Sequence, residues 1–149
     1  MKREQFIKSL VLSILPLALL LQACQKSLPS APTVVTGKVI DENNMPVEGV
    51  KLEFYGAERK GISPIPTFSV EANTNKAGVY SLSQVVPDGT SFTNLSPVSY
   101  KNSFFFSGQE EYIIFILENG IYKELIYKPP IQREDYGKTN TFNFQIRKR

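Results

Sequence analysis

Val34-Val35-Thr36-Gly37-Lys38-Val39-Ile40-Asp41-Glu42-Asn43-Asn44-Met45-Pro46-Val47-Glu48-Gly49-Val50-Lys51-Leu52-Glu53-Phe54-Tyr55 reads as strand, turn, strand. On the first arm Val35, Gly37 and Val39 alternate with Thr36, Lys38 and Ile40. On the second, Val50, Leu52 and Phe54 alternate with Lys51, Glu53 and Tyr55. Successive strand side chains point to opposite faces, so each arm offers one apolar face. Between them Asn43-Asn44-Met45-Pro46 is turn chemistry.

The same period recurs along the chain. Phe68, Val70 and Ala72 alternate with Ser69, Glu71 and Asn73; Tyr80 and Leu82 alternate with Ser81 and Ser83. Phe142, Phe144 and Ile146 alternate with Asn143, Gln145 and Arg147. Turns are expected at Lys76-Ala77-Gly78 and Asp88-Gly89. Asn119-Gly120 between Tyr112–Glu118 and Ile121–Tyr127 is a type I′ hairpin signal, and Pro129-Pro130 stops the second arm. No window carries a sustained helical stripe with a cap. The expected fold is all-β: a single antiparallel β-sandwich of seven to eight short strands over residues 34–149, enough chain for one core.

Three stretches break the pattern. Gly56 to Thr67 holds Gly56, Gly61, Pro64 and Pro66 and reads as a long loop crossing between sheets. Phe104-Phe105-Phe106 and Ile113-Ile114-Phe115-Ile116-Leu117 are apolar on both faces. A strand covered on both sides is favoured for these over an exposed sticky surface, because large exposed apolar patches are rare.

Composition narrows the chemistry. The chain of 149 residues has one cysteine, no histidine and no tryptophan. Histidine-based triads and histidine-ligated metals are excluded, and so is an intrachain disulfide. The formal charge is +3, of which residues 1–23 supply +2 through Lys2, Arg3 and Lys8 against Glu4. The remaining chain holds 14 Lys/Arg and 13 Asp/Glu, with no basic stripe before Arg147-Lys148-Arg149. A nucleic-acid partner is not expected on that balance.

The leader is basic from Met1 to Lys8 and apolar from Ser9 to Leu21, about 13 residues and too short to span a bilayer. Leu21-Gln22-Ala23-Cys24 then resembles a bacterial lipobox. The resemblance implies a signal peptide over 1–23, cleavage before Cys24, and acylation of Cys24 on sulfur and on its new amino group. Two or more acyl chains make a stable membrane anchor, at about 0.8 kcal/mol per buried CH₂. An ordinary signal peptide with a chance cysteine, or a retained membrane anchor, is the competing reading. Gln25 rather than Asp follows Cys24, which favours the outer membrane over inner-membrane retention. No acidic run of the sort that accompanies surface export follows, so the periplasmic face is favoured over the cell surface. Residues 24–33, with Pro29, Ser30 and Pro32, read as the lipidated cysteine and a flexible tether of at most about 30 Å.

Thr36-Gly37-Lys38-Val39-Ile40-Asp41, Pro46-Val47-Glu48-Gly49-Val50 and Thr74-Asn75-Lys76-Ala77-Gly78-Val79-Tyr80-Ser81-Leu82 are together similar to the carboxypeptidase regulatory-like domain. The resemblance implies a transthyretin-like (prealbumin-like) sandwich that is itself noncatalytic. It covers about Val34 to Leu82; beyond that the usual short ending is replaced by Pro87 to Asn102 and a longer C-terminal half. In this frame Gly37 permits close sheet packing, Asn44 takes a left-handed turn position, Pro46 rigidifies the turn exit, and Gly78 turns the chain before Tyr80 enters the core. A related branch that hydrolyses 5-hydroxyisourate uses histidines and a Tyr-Arg-Gly-Ser terminus, and this chain has neither.

Catalytic groups are sparse. Glu110 and Glu111 are adjacent, and neighbours in a strand face opposite sides, so they do not form a convergent acid pair. Asp41-Glu42-Asn43-Asn44 lacks the spacing of a calcium loop and reads as an Asx turn. No Gly-rich phosphate loop is present. Tyr55, Tyr100, Tyr122 and Tyr136 can stack on sugars or simply pack across strands. No catalytic, cofactor-binding or metal residue is assigned. The expectation is a noncatalytic, lipid-anchored envelope protein that binds or scaffolds an envelope protein or glycan. A glycan-binding surface module is the alternative, and a carboxylate-based hydrolase the least favoured.

Overall fold

In the computed structural model, which describes residues 28–149, the first arm is β1 (Thr33–Ile40). The turn after it closes on the Asp41 side chain. Its Oδ1 accepts the N–H groups of Asn43 and Met45, both at 2.8 Å, and the Asp41 N–H donates to the Met45 carbonyl at 2.9 Å. Asn44 sits at φ 63°, the left-handed position expected of it. The turn at Asn75 repeats this construction. Asn75 Oδ1 accepts the N–H of Ala77 (2.9 Å) and of Val79 (3.0 Å), its N–H donates to Val79, and Gly78 holds φ 72°. A β-branched residue pays the left-handed penalty of about 1–2 kcal/mol at such a site. Asn44→Val is therefore expected to cost about that much in a urea titration, and Asn44→Gly less than about 1 kcal/mol.

The strands that follow are β2 (Lys51–Lys60), β3 (Ser63–Asn73), β4 (Val79–Gln84), β5 (Phe92–Tyr100), β6 (Ser103–Phe104), β7 (Tyr112–Glu118) and β8 (Ile121–Glu124). After them come β9 (Pro130–Ile131), a 3₁₀ turn at Arg133–Asp135, β10 (Thr139–Thr141) and β11 (Phe144–Lys148). The fold is an all-β sandwich. One sheet carries β1 between β4 on one edge and β10 and β11 on the other, continuing to β7 and β8. The second runs β3-β2-β5, with β6 and β9 also on β5. Val35, Val39, Leu52, Phe54, Tyr80, Leu82, Leu95, Ile114, Ile116, Phe144 and Ile146 belong to one buried cluster. The number of strands exceeds seven to eight because several have only two to four residues.

Pairing is antiparallel except where β10 and β11 run beside β1. Val34–Thr36 lie parallel to Thr139–Thr141, and Val39–Ile40 lie parallel to Phe144–Gln145, in one unbroken register. Phe142 and Asn143 interrupt that strand opposite Gly37 and Lys38. The gap is closed by Phe142 N–H to the Thr36 carbonyl (2.9 Å), Lys38 N–H to Asn143 Oδ1 (2.9 Å) and the Tyr80 hydroxyl to the Phe142 carbonyl (2.7 Å). Burial holds the Tyr80 hydroxyl well above its ordinary pKa, so it remains a donor. A Cβ on Gly37 would collide with the Phe142 carbonyl, which accounts for the glycine.

Three expectations are corrected. Residues 56–67 are not a long loop but the ends of β2 and β3 joined by the tight turn Gly61-Ile62, with a register shift between Gly56 and Ala57. Pro64 and Pro66 are tolerated because β3 is an edge strand. The chain after Asn119-Gly120 pairs only to Glu124. Leu125 turns into the core and its N–H bonds to the Ile114 carbonyl at 2.9 Å. Phe104 and Phe106 are 60% and 41% exposed; only Phe105 of that triplet is buried. In β7 the outward Ile113, Phe115 and Leu117 are half-buried, and the Arg147 guanidinium covers the Phe115 ring at 4.2 Å.

The contacts of the domain begin ahead of Val34. Leu28 packs against the core, Thr33 is buried, and its Oγ1 accepts the Gly137 N–H at 2.8 Å. Cys24 and the leader lie outside the described residues.

Candidate functional site

The register separates two ends of the sandwich. At the entry end, Thr33 pairs with Gln84 and Ala57 pairs with Phe92, and residues 85–91 join the two sheets there. The Ser91 N–H bonds to the Ala57 carbonyl and Ser91 Oγ accepts the Arg59 N–H, at 2.9 and 3.0 Å, so the tip of the β2–β3 hairpin lies at this end. At the far end lie the Asp41 turn, the Asn75 turn and the β5–β6 turn, Lys101-Asn102.

The far end is hollowed by a cleft of about 360 Å³ lined by Asp41, Glu42, Glu48, Tyr100, Tyr112 and Lys101, together with the exposed Lys148 and the buried Ile146. Tyr100 and Tyr112 meet edge to face with centroids 5.0 Å apart, and Lys101 Nζ stands 5.1 Å from the Tyr100 ring centre. Both Lys101 (φ 47°) and Asn102 (φ 64°) are left-handed, which fits a type I′ turn and places the lysine against the aromatic pair. Lys101 is pushed above its ordinary pKa by the Tyr100 hydroxyl beside it, with Tyr112 and Glu111 adding to the effect. The cleft thus offers ring surface, carboxylate acceptors and ammonium donors together. Asp41 is committed to its turn through Oδ1, leaving Glu42 and Glu48 as exposed acceptors.

The carboxylates singled out in the sequence stand apart from one another. Both precede β7, and each meets a different cation of the C-terminus: Glu110 with Arg149 at 3.3 Å and Glu111 with Lys148 at 3.5 Å. The Gly108 N–H, bonded to Glu110 Oε1 at 2.8 Å, and the neighbouring backbone and Arg149 hold the Glu110 carboxyl below the usual range. A general acid needs the opposite shift. Glu110 is ionised to lower pH in the folded chain than in the unfolded one. Its stabilisation is complete above the unfolded value of 4.5 and is lost as pH falls through the lower folded value. Urea midpoints taken between about pH 6 and pH 3 should fall less steeply for Glu110→Gln than for the unaltered protein.

The tyrosines do not form one platform. Tyr136 is buried, and Tyr122 is half-buried and raised in pKa by that burial. Tyr55 accepts from Asn94 at 3.3 Å beneath Lys128. Of the four noted in the sequence only Tyr100 reaches the cleft, joined by Tyr112, which the sequence did not single out. No local signal marks that pair, because the two residues come from different sheets. Among the described residues, no group of three or more histidine, cysteine or acidic side chains is placed to hold a metal ion. The side chains buried there all have hydrogen-bond partners for their polar atoms.

No family model matches the chain, and no curated protein does. Among solved structures it is similar to a 3-chlorocatechol 1,2-dioxygenase from Rhodococcus opacus 1CP, with 12% identity and a TM-score of 0.39 over 84% of this chain and 62% of that one. This chain therefore spans less than two thirds of that protein's length. It is also similar to the dioxygenase domain of a dioxygenase carbohydrate-binding protein fusion from Streptomyces sp. SirexAA-E. There the identity is 17% and the TM-score 0.41, over 84% of this chain and 85% of that one.

Proposed function

We propose that this chain is a noncatalytic envelope module, anchored through acylated Cys24, that presents the far-end cleft to another envelope component. The observation that carries the reading is the placement of the cleft. It lies at the opposite end of the sandwich from Thr33, the residue through which the domain connects in sequence to Cys24. A domain held by its entry end turns its far end away from the bilayer. The outer membrane, on its periplasmic face, is the proposed location. The carboxypeptidase regulatory-like resemblance supports a binding role, and the separate pairing of Glu110 and Glu111 gives no support to a carboxylate hydrolase.

In the test, Cys24→Ala should lose both membrane fractionation and incorporation of labelled palmitate; retention of both refutes the anchor. Photocrosslinkers placed at Glu48 and Lys101, both exposed on the cleft, should trap the same component reproducibly in intact cells. A crosslinker at Ser81, exposed on β4, should not trap it. Equal trapping from the two places, or none, counts against the cleft. A glycan is the second reading, favoured by the mixed lining: ring surface with acceptors and donors suits a neutral polyhydroxylated ligand better than an ion of either sign. A glycan array with no signal sinks that reading alone.

A further inference from the structure

We propose that the tip of the β2–β3 hairpin is a second membrane contact, seated in the interfacial region of the bilayer that holds Cys24. The inference rests on the reading of Cys24 as an acylated anchor. Three observations carry it.

The first is the length of chain outside the described residues. Leu28 already packs against the core and Pro29 lies against Gly137. Only Gln25, Lys26 and Ser27 separate Leu28 from Cys24. That span reaches at most about 14 Å, half or less of what a tether running to Thr33 would allow. The entry end is therefore kept beside the head groups rather than clear of them.

The second is what stands at that end. β2 and β3 continue past the pairs that hold Ala57 against Phe92, as far as Lys60 and Ser63. At the apex Ile62 is fully exposed, and Ile65 is about half exposed, at 49%. Turn apices are ordinarily polar, because water is their only neighbour. Two exposed isoleucines on a projecting hairpin fit an apolar medium; beside them on β2 stand the exposed Arg59 and Lys60, the latter paired with Glu58 at 3.0 Å, and basic side chains next to an inserted apex suit lipid phosphates.

The third separates lipid from a protein partner. An exposed edge strand is ordinarily the place where another chain adds a strand. β3 is such an edge, yet Pro64 and Pro66 flank Ile65 and provide no N–H for a ladder. A bilayer needs apolar area and no ladder.

The chain contains no tryptophan, so Ile62→Trp places a unique fluorophore at the apex and Met45→Trp places one at the far end, where Met45 is exposed. Each full-length lipidated variant is reconstituted into phosphatidylethanolamine/phosphatidylglycerol vesicles with and without brominated acyl chains. The expected result is blue-shifted emission quenched by bromolipid for Ile62→Trp, and unshifted, unquenched emission for Met45→Trp. If the protein co-floats with the vesicles but Ile62→Trp behaves like Met45→Trp, the hairpin contact is overturned and the anchor stands. If the protein does not co-float, the anchor reading fails and this inference falls with it.

Discussion

Gly37→Ala is expected to destabilise the domain by about 3 kcal/mol, lowering the melting temperature by on the order of 10 °C. The position is fully constrained by backbone. The added methyl would run into the Phe142 carbonyl oxygen and would also crowd the Tyr80 hydroxyl that donates to it. Neither can yield cheaply, because Phe142 and Asn143 close the gap between β10 and β11 by bonding to Thr36 and Lys38. Moving them breaks the parallel pairing that ties the C-terminal strand to β1. Tyr80→Phe, which keeps the ring and removes the donor, should cost about 1–2 kcal/mol by leaving that carbonyl short of a partner. Thermal and urea unfolding of both variants check the pair. A Gly37→Ala protein as stable as the parent would show that the Phe142 carbonyl yields to a methyl group at little cost.

Thr74→Val is expected to cost about 2–4 kcal/mol, although valine has nearly the same shape. Thr74 is buried, and its hydroxyl does two tasks. It accepts the Val50 N–H at 2.9 Å and donates to the Val47 carbonyl at 2.7 Å. The Thr74 backbone adds bonds to the Val50 carbonyl and from the Gly49 N–H, both at 2.9 Å. The residue thereby locks the exit of the first turn onto the end of β3. Valine would leave a buried donor and a buried acceptor unpaired. Thr74→Ser retains both bonds and should cost about 1 kcal/mol, the loss of one methyl. Comparable losses for the serine and valine variants would show that packing rather than hydrogen bonding sets the value.

The elements that were legible in advance are those whose information is local. Alternation in β1, β2 and β4 follows from one face being buried, and Asn44, Gly78 and Asn119-Gly120 name their own left-handed turns. β5 was not legible. Pro97 sits inside it, and the pairing skips Val98 at a register shift between Lys51 and Leu52 that accommodates the proline. The hairpin extension of β2 and β3 was hidden in the same way, by Pro64 and Pro66, which are harmless on an edge, and by Gly56 at the register shift and Gly61 in the turn. The exposure of Phe104 and Phe106 could not be read either, because a triplet of aromatics looks alike whether a neighbouring element covers it or not.

The all-β class, the turn chemistry and the exclusion of histidine-based catalysis could be read from the residues alone, since period, φ preference and residue type are properties of short stretches. It also supplies the lipobox resemblance at Cys24, on which the anchor proposal rests. That β10 and β11 run parallel to β1 in one register, about a hundred residues away in sequence, emerges only once the chain is folded. The same is true of the Tyr100–Tyr112 cleft at one end and the Ile62 hairpin at the other. Such placements depend on which faces find cover when two sheets close on one core, and no single stretch of chain carries that information.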